Sequence, residues 1–172
     1  KIFGDILDTP EQLEERFPKR NLPEGAKVTR FAPSPTGFLH VGGVHASLAS
    51  ERLAHQSGGV FFLRLEDTDQ KREVEGANEL IIDTLNKFGI IADEGAQLDG
   101  SEIGAYGPYK QSNRRNIYKV YMKKLLEEGK AYLCFCTSEE LEELSKKQMD
   151  LKVSPGYYGK WAKWREKSLT EV

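Results

Sequence analysis

The sequence predicts an α/β fold in which strands and helices alternate around a mostly parallel sheet. Two observations carry this reading. Val60-Phe61-Phe62-Leu63-Arg64-Leu65 is a nearly unbroken apolar run, the pattern of a strand buried on both faces. Segments with a 3.6-residue apolar rhythm follow the strand-like runs in turn, which is the order a parallel sheet with crossover helices requires. The 172 residues suffice for one full domain, or for one domain and part of a second.

Taken in order, Thr9-Pro10-Glu11-Gln12 opens a first helix with a Thr cap, Pro at the first helical position and Gln three residues after the cap. This helix is expected to end near Phe17-Pro18, and Asn21-Leu22-Pro23-Glu24-Gly25 reads as a linker, so residues 1–26 form an N-terminal helical extension, a packing arm without chemistry. Val28 to Ala32 reads as a strand, and Gly42-Gly43 opens a helix running to about Gln56. Gly58-Gly59 turns the chain into the apolar run. After Glu66-Asp67-Thr68-Asp69, a helix is expected whose core face carries Val74, Ala77, Leu80, Ile81, Leu85 and Phe88. Residues 89–100 read as a short strand and loop. Ser112 is placed to cap a helix burying Ile117, Val120, Tyr121, Leu125 and Leu126, stopped by Gly129. Ala131 to Cys136 reads as a further strand, and Thr137 with Glu140 as a capping box for a helix through about Met149.

Charged residues make up 30% and hydrophobic ones 38%, ordinary values for a globular protein. The net charge of -2 excludes a polycation that binds nucleic acid by overall charge; such a contact needs a local patch. No apolar run approaches the roughly 18 to 20 residues needed to cross a membrane. The start also lacks the apolar stretch of a secretory signal, so no membrane contact and a cytoplasmic location are expected. The sequence begins at Lys1 rather than Met, and residues upstream are expected. Cys134 and Cys136 cannot build a disulfide framework; they suit a reducing compartment or half of a metal site.

The strongest chemical signal is Arg30-Phe31-Ala32-Pro33-Ser34-Pro35-Thr36-Gly37-Phe38-Leu39-His40-Val41-Gly42-Gly43. A strand end, a stiff proline turn, a His and two glycines stand directly before a helix. The prolines fix backbone angles, and the glycines allow a ligand close to the backbone. The helix N-terminus should offer free N–H groups and partial positive charge to a phosphate or carboxylate. His40 at its mouth is the candidate catalytic group, a placed donor for a phosphate whose charge changes during reaction.

The second signal is Glu66-Asp67-Thr68-Asp69 at the carboxyl end of the buried run, where open α/β sheets bind ligands. Three carboxylates in four residues are costly to bury unless paired. Glu66 is placed to bind the ammonium of an amino acid, and Thr68 or Asp69 either contacts a ligand or caps the next helix.

Residues Pro33 to Gly43 resemble the HIGH-motif region of class I aminoacyl-tRNA synthetases, with His40-Val41-Gly42-Gly43 as its core and Gly43 where the motif has its second His. Together with Leu63 to Asp69 they resemble the bacterial glutamyl-tRNA synthetases, over about Thr29 to Glu143 and more weakly to Lys167. The resemblance implies the N-terminal half of a Rossmann-type parallel sheet over residues 27–130, and the beginning of the acceptor-stem-binding insertion over 131–172. It implies ATP with Mg²⁺ along Pro33, Ser34, Pro35, Thr36, Gly37, Phe38, Leu39, His40, Val41, Gly42 and Gly43. It further implies L-glutamate on Arg30, Ala32, Ser34 and Glu66, the Arg30 fork suiting a carboxylate. The reaction would be formation of glutamyl-adenylate and transfer to tRNA(Glu), by a monomer.

Between Leu151 and Lys167 five basic residues meet one acidic residue, with four aromatic rings interleaved. Basic groups neutralise phosphates and rings stack on unpaired bases. Taken with the resemblance, Lys160, Trp161, Lys163, Trp164 and Arg165 are candidate tRNA contacts, against a plain amphipathic packing segment, and the resemblance adds Thr68 and Asp69 to them. In some relatives Cys-x-Cys is half of a zinc site completed about 25 residues later. The stretch Tyr157 to Arg165 holds neither Cys nor His, and with only two donors zinc is not expected. No KMSKS loop or anticodon-binding domain follows, so the chain reads as part of an enzyme that turns over poorly alone. Two alternatives are compatible with the same residues: a shorter paralogue that glutamylates a modified tRNA base of the queuosine type, and a non-catalytic nucleotide- or tRNA-binding module.

Overall fold

The computed structural model describes residues 3–69 and 71–167. The elements are α1 (Pro10–Arg16), β1 (Val28–Phe31), α2 (Val41–Gln56), β2 (Val60–Leu63), α3 (Ala77–Lys87), β3 (Glu94–Ala96), β4 (Glu102–Ile103), α4 (Arg115–Glu127) and α5 (Ser138–Asp150). Short 3₁₀ turns cover Gln111–Arg114 and Gly159–Trp161. The chain divides into two compact units, Lys1–Val120 and Tyr121–Val172.

In the first unit the four strands form one sheet in the order β1-β2-β3-β4. β1, β2 and β3 run parallel, with Val28 opposite Val60 and Phe62 opposite Glu94, while β4 returns antiparallel to β3. The sheet is thus mixed rather than wholly parallel. The reason is local: only five residues separate β3 from β4, too few for the crossover that a parallel strand needs. Phe61, Leu63, Ile81 and Ile90 are fully buried at the centre of the core, with Ala54, Leu65, Ile82 and Leu85 around them. Each large side chain buried in this way stabilises the fold by about 1.5–3 kcal/mol.

The capping box at Thr9 and Gln12 forms as the residues require, with Pro10 in the first turn. The third helix differs from its expected face. Gly76 adopts a left-handed conformation (φ 77°) and starts α3 at Ala77, so Val74 lies outside the helix and is exposed. Ala77, Ile81, Ile82 and Leu85 form the buried stripe, whereas Phe88 is exposed and Leu80 only half-buried. Ser112 does not cap α4; its N–H and hydroxyl both bond to Asp67, and α4 follows a 3₁₀ turn. Of the expected α4 face, Val120 and Leu126 are buried, Ile117 is half-buried, and Tyr121 and Leu125 are exposed.

In the second unit, residues 131–136 form no strand. They run irregularly, with Phe135 edge-on to Trp164 at 5.2 Å and Tyr132 6.5 Å from Tyr157. Ring packing, instead of a ladder partner, holds this stretch. The capping box at Thr137 and Glu140 forms at the start of α5. Among the described residues, no helix is long and apolar enough to cross a membrane.

Candidate active site

Side chains alternate along residues 63–67. Leu63, Leu65 and Asp67 are buried, whereas Arg64 and Glu66 are half-buried toward the other side. Two backbone bonds tie this stretch to the β1 end: Arg64 N–H donates to Phe31 O at 3.0 Å, and Glu66 N–H to Pro33 O at 2.8 Å. Pro35 O accepts from Val74 N–H at 2.9 Å, so the first motif also holds the chain that follows the second. Glu66 Oε1 lies 2.9 Å from Arg64 Nη2 and 3.9 Å from Arg30 Nη1. The carboxylate is therefore neutralised by neighbouring guanidiniums without being sealed from solvent. Ser34 is exposed, and Ala32 is half-buried.

His40 is the N-cap of α2, and its Nδ1 accepts the Gly42 N–H at 3.1 Å. An accepting Nδ1 puts the proton of the neutral ring on Nε2, which leaves a donor free to point outward. The helix mouth is less bare than the motif suggests, because Gly43 and Val44 N–H groups also bond to the His40 carbonyl, at 2.9 and 3.2 Å. A Cβ on Gly42 would stand 3.0 Å from the His40 ring, and one on Gly43 would meet Leu39 Cδ1 at 2.5 Å. Phe31, Pro33, Ser34, Thr36, His40 and Gly43 are among the residues lining a groove of about 380 Å³, a size suited to a small ligand. Gly37, Phe38 and Leu39 also line it, Pro35 is buried, and the side chains of Phe38 and Val41 are largely exposed.

Neither Thr68 nor Asp69 caps α3, whose N-cap is Gly76; Asp69 instead pairs with Arg72 at 2.6 Å, and Thr68 is exposed. In the second unit, Lys163 bonds to Glu140 at 2.7 Å, and Arg165 lies over the Tyr132 ring at 5.7 Å. Lys160 lies 5.1 Å over Trp161, and Trp164 is engaged by Phe135. The basic and aromatic tail residues thus form one intramolecular cluster. Cys136 Sγ lies 3.5 Å from Tyr157 Oη, and the Cys134 thiol is held below its usual range: burial pushes it up, but Cys136 and Tyr157 hydrogen bonds and the Lys163 charge outweigh that.

The sequence pattern of "tRNA synthetases class I (E and Q), catalytic domain" matches residues 27–171. The chain belongs to this class I tRNA synthetase family. A glutamate–tRNA ligase of Clostridium perfringens (strain 13 / Type A) is 60% identical over 171 residues, covering 99% of this chain and 31% of the relative. One from Acetivibrio thermocellus is 59% identical over 172 residues, with the same coverage. Among solved structures, the glutamate–tRNA synthetase of Elizabethkingia anophelis superposes with a TM-score of 0.69 at 37% identity, over 86% of this chain and 29% of that one. A glutamate–tRNA ligase of Elizabethkingia meningosepticum, in complex with its amino acid, gives 0.67 at 38%, over 87% and 28%. The chain spans about a third of the length of the curated relatives it matches. Its class I synthetase fold is the one both the motifs and the sheet display.

The motifs did not single out Asp67, the buried carboxylate beside Glu66, or Ser112, its partner 45 residues on. The only sequence signal was the cost of burying three carboxylates so close together, which calls for a partner without naming it.

Proposed function

We propose that this chain supplies the first half of the ATP- and glutamate-binding site of a glutamate–tRNA ligase, acting with MgATP as substrate. Glutamate would be activated to glutamyl-adenylate, and the acyl group passed to tRNA(Glu). The observation that carries the reading is Glu66 set between Arg64 and Arg30, beside the groove capped by His40. Arg30 and Ser34 would take the substrate carboxylate side, and Glu66 the ammonium. The His40 Nε2–H and the Pro33–Gly43 loop would meet the ATP phosphates, with Mg²⁺ carried by the nucleotide. The residues do mainly positioning and charge stabilisation, since adenylate formation asks little covalent chemistry of the protein.

The names of relatives at up to 60% identity support glutamate as the amino acid. We read residues 1–26 as an extension, 27–130 as the first half of the catalytic domain and 131–172 as the start of the acceptor-stem-binding insertion. The Lys160 to Arg165 segment of the second unit and, separately, Thr68 and Asp69 of the first are the candidate tRNA contacts. A cytoplasmic monomer fits this reading. The test is charging: the full-length protein with ATP, radiolabelled glutamate and tRNA(Glu) should form glutamyl-tRNA. Charging with glutamine and not glutamate would refute the assignment.

A further inference from the structure

Asp67 follows the proposed ammonium-binding residue, yet its side chain turns the opposite way and is only 4% exposed. Its carboxylate is fully engaged. Oδ1 accepts the Ser112 N–H at 2.8 Å, Oδ2 accepts the Ser112 hydroxyl at 2.5 Å, and Lys110 Nζ lies 3.7 Å away. Burial pushes the Asp67 carboxyl up, but these hydrogen bonds and the Lys110 charge outweigh it and keep the group ionised. A backbone bridge runs alongside: Leu65 N–H donates to Tyr109 O and Gln111 N–H to Leu65 O, both at 2.9 Å. Residues 64–67 are thus held on one side by Phe31 and Pro33, and on the other by residues 109–112.

We infer that Asp67 and Ser112 form a positioning pair that fixes the Glu66 carboxylate for the substrate ammonium, so that a hydroxyl 45 residues away sets the affinity for the amino acid. Residues 65–67 have no regular strand of their own, so these bonds decide how the backbone turns after Leu65. Alternation does the rest. With Asp67 pinned inward, Glu66 must face outward between the two arginines. A charge-assisted pair with both carboxylate oxygens occupied leaves little rotational freedom. This inference rests on the proposed role of Glu66 in binding the amino acid.

The test uses the full-length enzyme and steady-state charging kinetics with each substrate varied. Ser112→Ala removes one of the two bonds and Asp67→Asn weakens both. Each should raise KM for glutamate roughly tenfold, while KM for ATP stays within about twofold. Ser112→Thr, which keeps the hydroxyl, should restore the wild-type KM. An unchanged KM for glutamate, equal rises for both substrates, or no rescue by Ser112→Thr would overturn the inference. If Asp67→Asn fails to fold, the Ser112 pair decides alone. A wild-type enzyme that does not charge with glutamate would instead refute the functional reading.

Discussion

Arg30 Nη1 stands 3.9 Å from Glu66 Oε1, too far for a hydrogen bond, while Arg64 Nη2 holds the same oxygen at 2.9 Å. The Arg30 fork is therefore not hydrogen-bonded to that oxygen of Glu66. Replacing Glu66 with Gln keeps the shape and removes the charge. In the full-length enzyme, KM for glutamate should rise roughly 10–100-fold, the scale of a lost charge-assisted bond. Charging kinetics check this, and an unchanged KM would remove Glu66 from the site.

Arg30→Lys should behave much like Arg30→Ala, because one ammonium cannot reproduce a planar fork on a carboxylate. Both should raise KM for glutamate at least roughly tenfold in the same assay, with the melting temperature almost unchanged, since the Arg30 side chain is 43% exposed. Full rescue by Lys would show that only charge matters there.

His55 bridges two carboxylates, with Nδ1 2.8 Å from Glu51 and Nε2 2.9 Å from Asp93, which also accepts the Phe61 N–H at 2.7 Å. Donating to both requires the protonated ring. Its pKa is raised, chiefly by the hydrogen bond to Asp93 and also by the two carboxylate charges, against a smaller effect of burial. The bridge should stabilise the fold fully below the unfolded value of 6.5, and lose that contribution as pH rises through the raised folded value. Urea midpoints measured against pH should show this decline, and His55→Ala should flatten it.

Arg20 clasps both oxygens of Glu94, its second bond measuring 2.6 Å, and Tyr109 Oη donates to Glu94 at 2.6 Å. The Arg20 hydrogen bond holds the Glu94 carboxyl below its usual range, and burial with the Glu94 bond pushes the Tyr109 phenol up to about 12. The pair should stabilise the fold above about pH 4.5 and lose that contribution as pH falls through the lowered value. Glu94→Ala leaves Arg20 without its partner in a place where both side chains are under 20% exposed, and should cost about 2–4 kcal/mol in denaturant unfolding at neutral pH.

These cases separate what the residue order reveals from what only folding reveals. The placement of Arg30 near Glu66 and of His40 at a helix mouth was legible because each lies in one short run whose residue types have few uses in combination. The core face of α3 was partly legible, but the left-handed Gly76 moved the helix start past Val74, and periodicity does not register a backbone break. The stretch from Ala131 to Cys136 has strand-like composition, yet a strand exists only with a ladder partner, and ring contacts hold it instead. Asp67 with Ser112, His55 with Asp93 and Arg20 with Glu94 join residues 45, 38 and 74 positions apart, which no local pattern specifies.

The Cys134–Cys136 pair gives a metal-removal prediction. Cys136 meets the Tyr157 hydroxyl, and among the described residues no group of three or more His, Cys, Asp or Glu is arranged to hold a metal. Chelation by EDTA should leave the melting temperature unchanged, and elemental analysis should find no stoichiometric zinc. One zinc per chain, lost with a fall in stability, would contradict this.

The proposed glutamate-activating site is built on Arg30, Glu66 and the His40 loop. ATP–pyrophosphate exchange by the full-length protein with tRNA(Glu) present, comparing glutamate with glutamine, tests it most directly. Exchange should depend on glutamate and be largely abolished by Glu66→Gln and by His40→Ala. Exchange supported by glutamine alone, or undiminished in both variants, would contradict it.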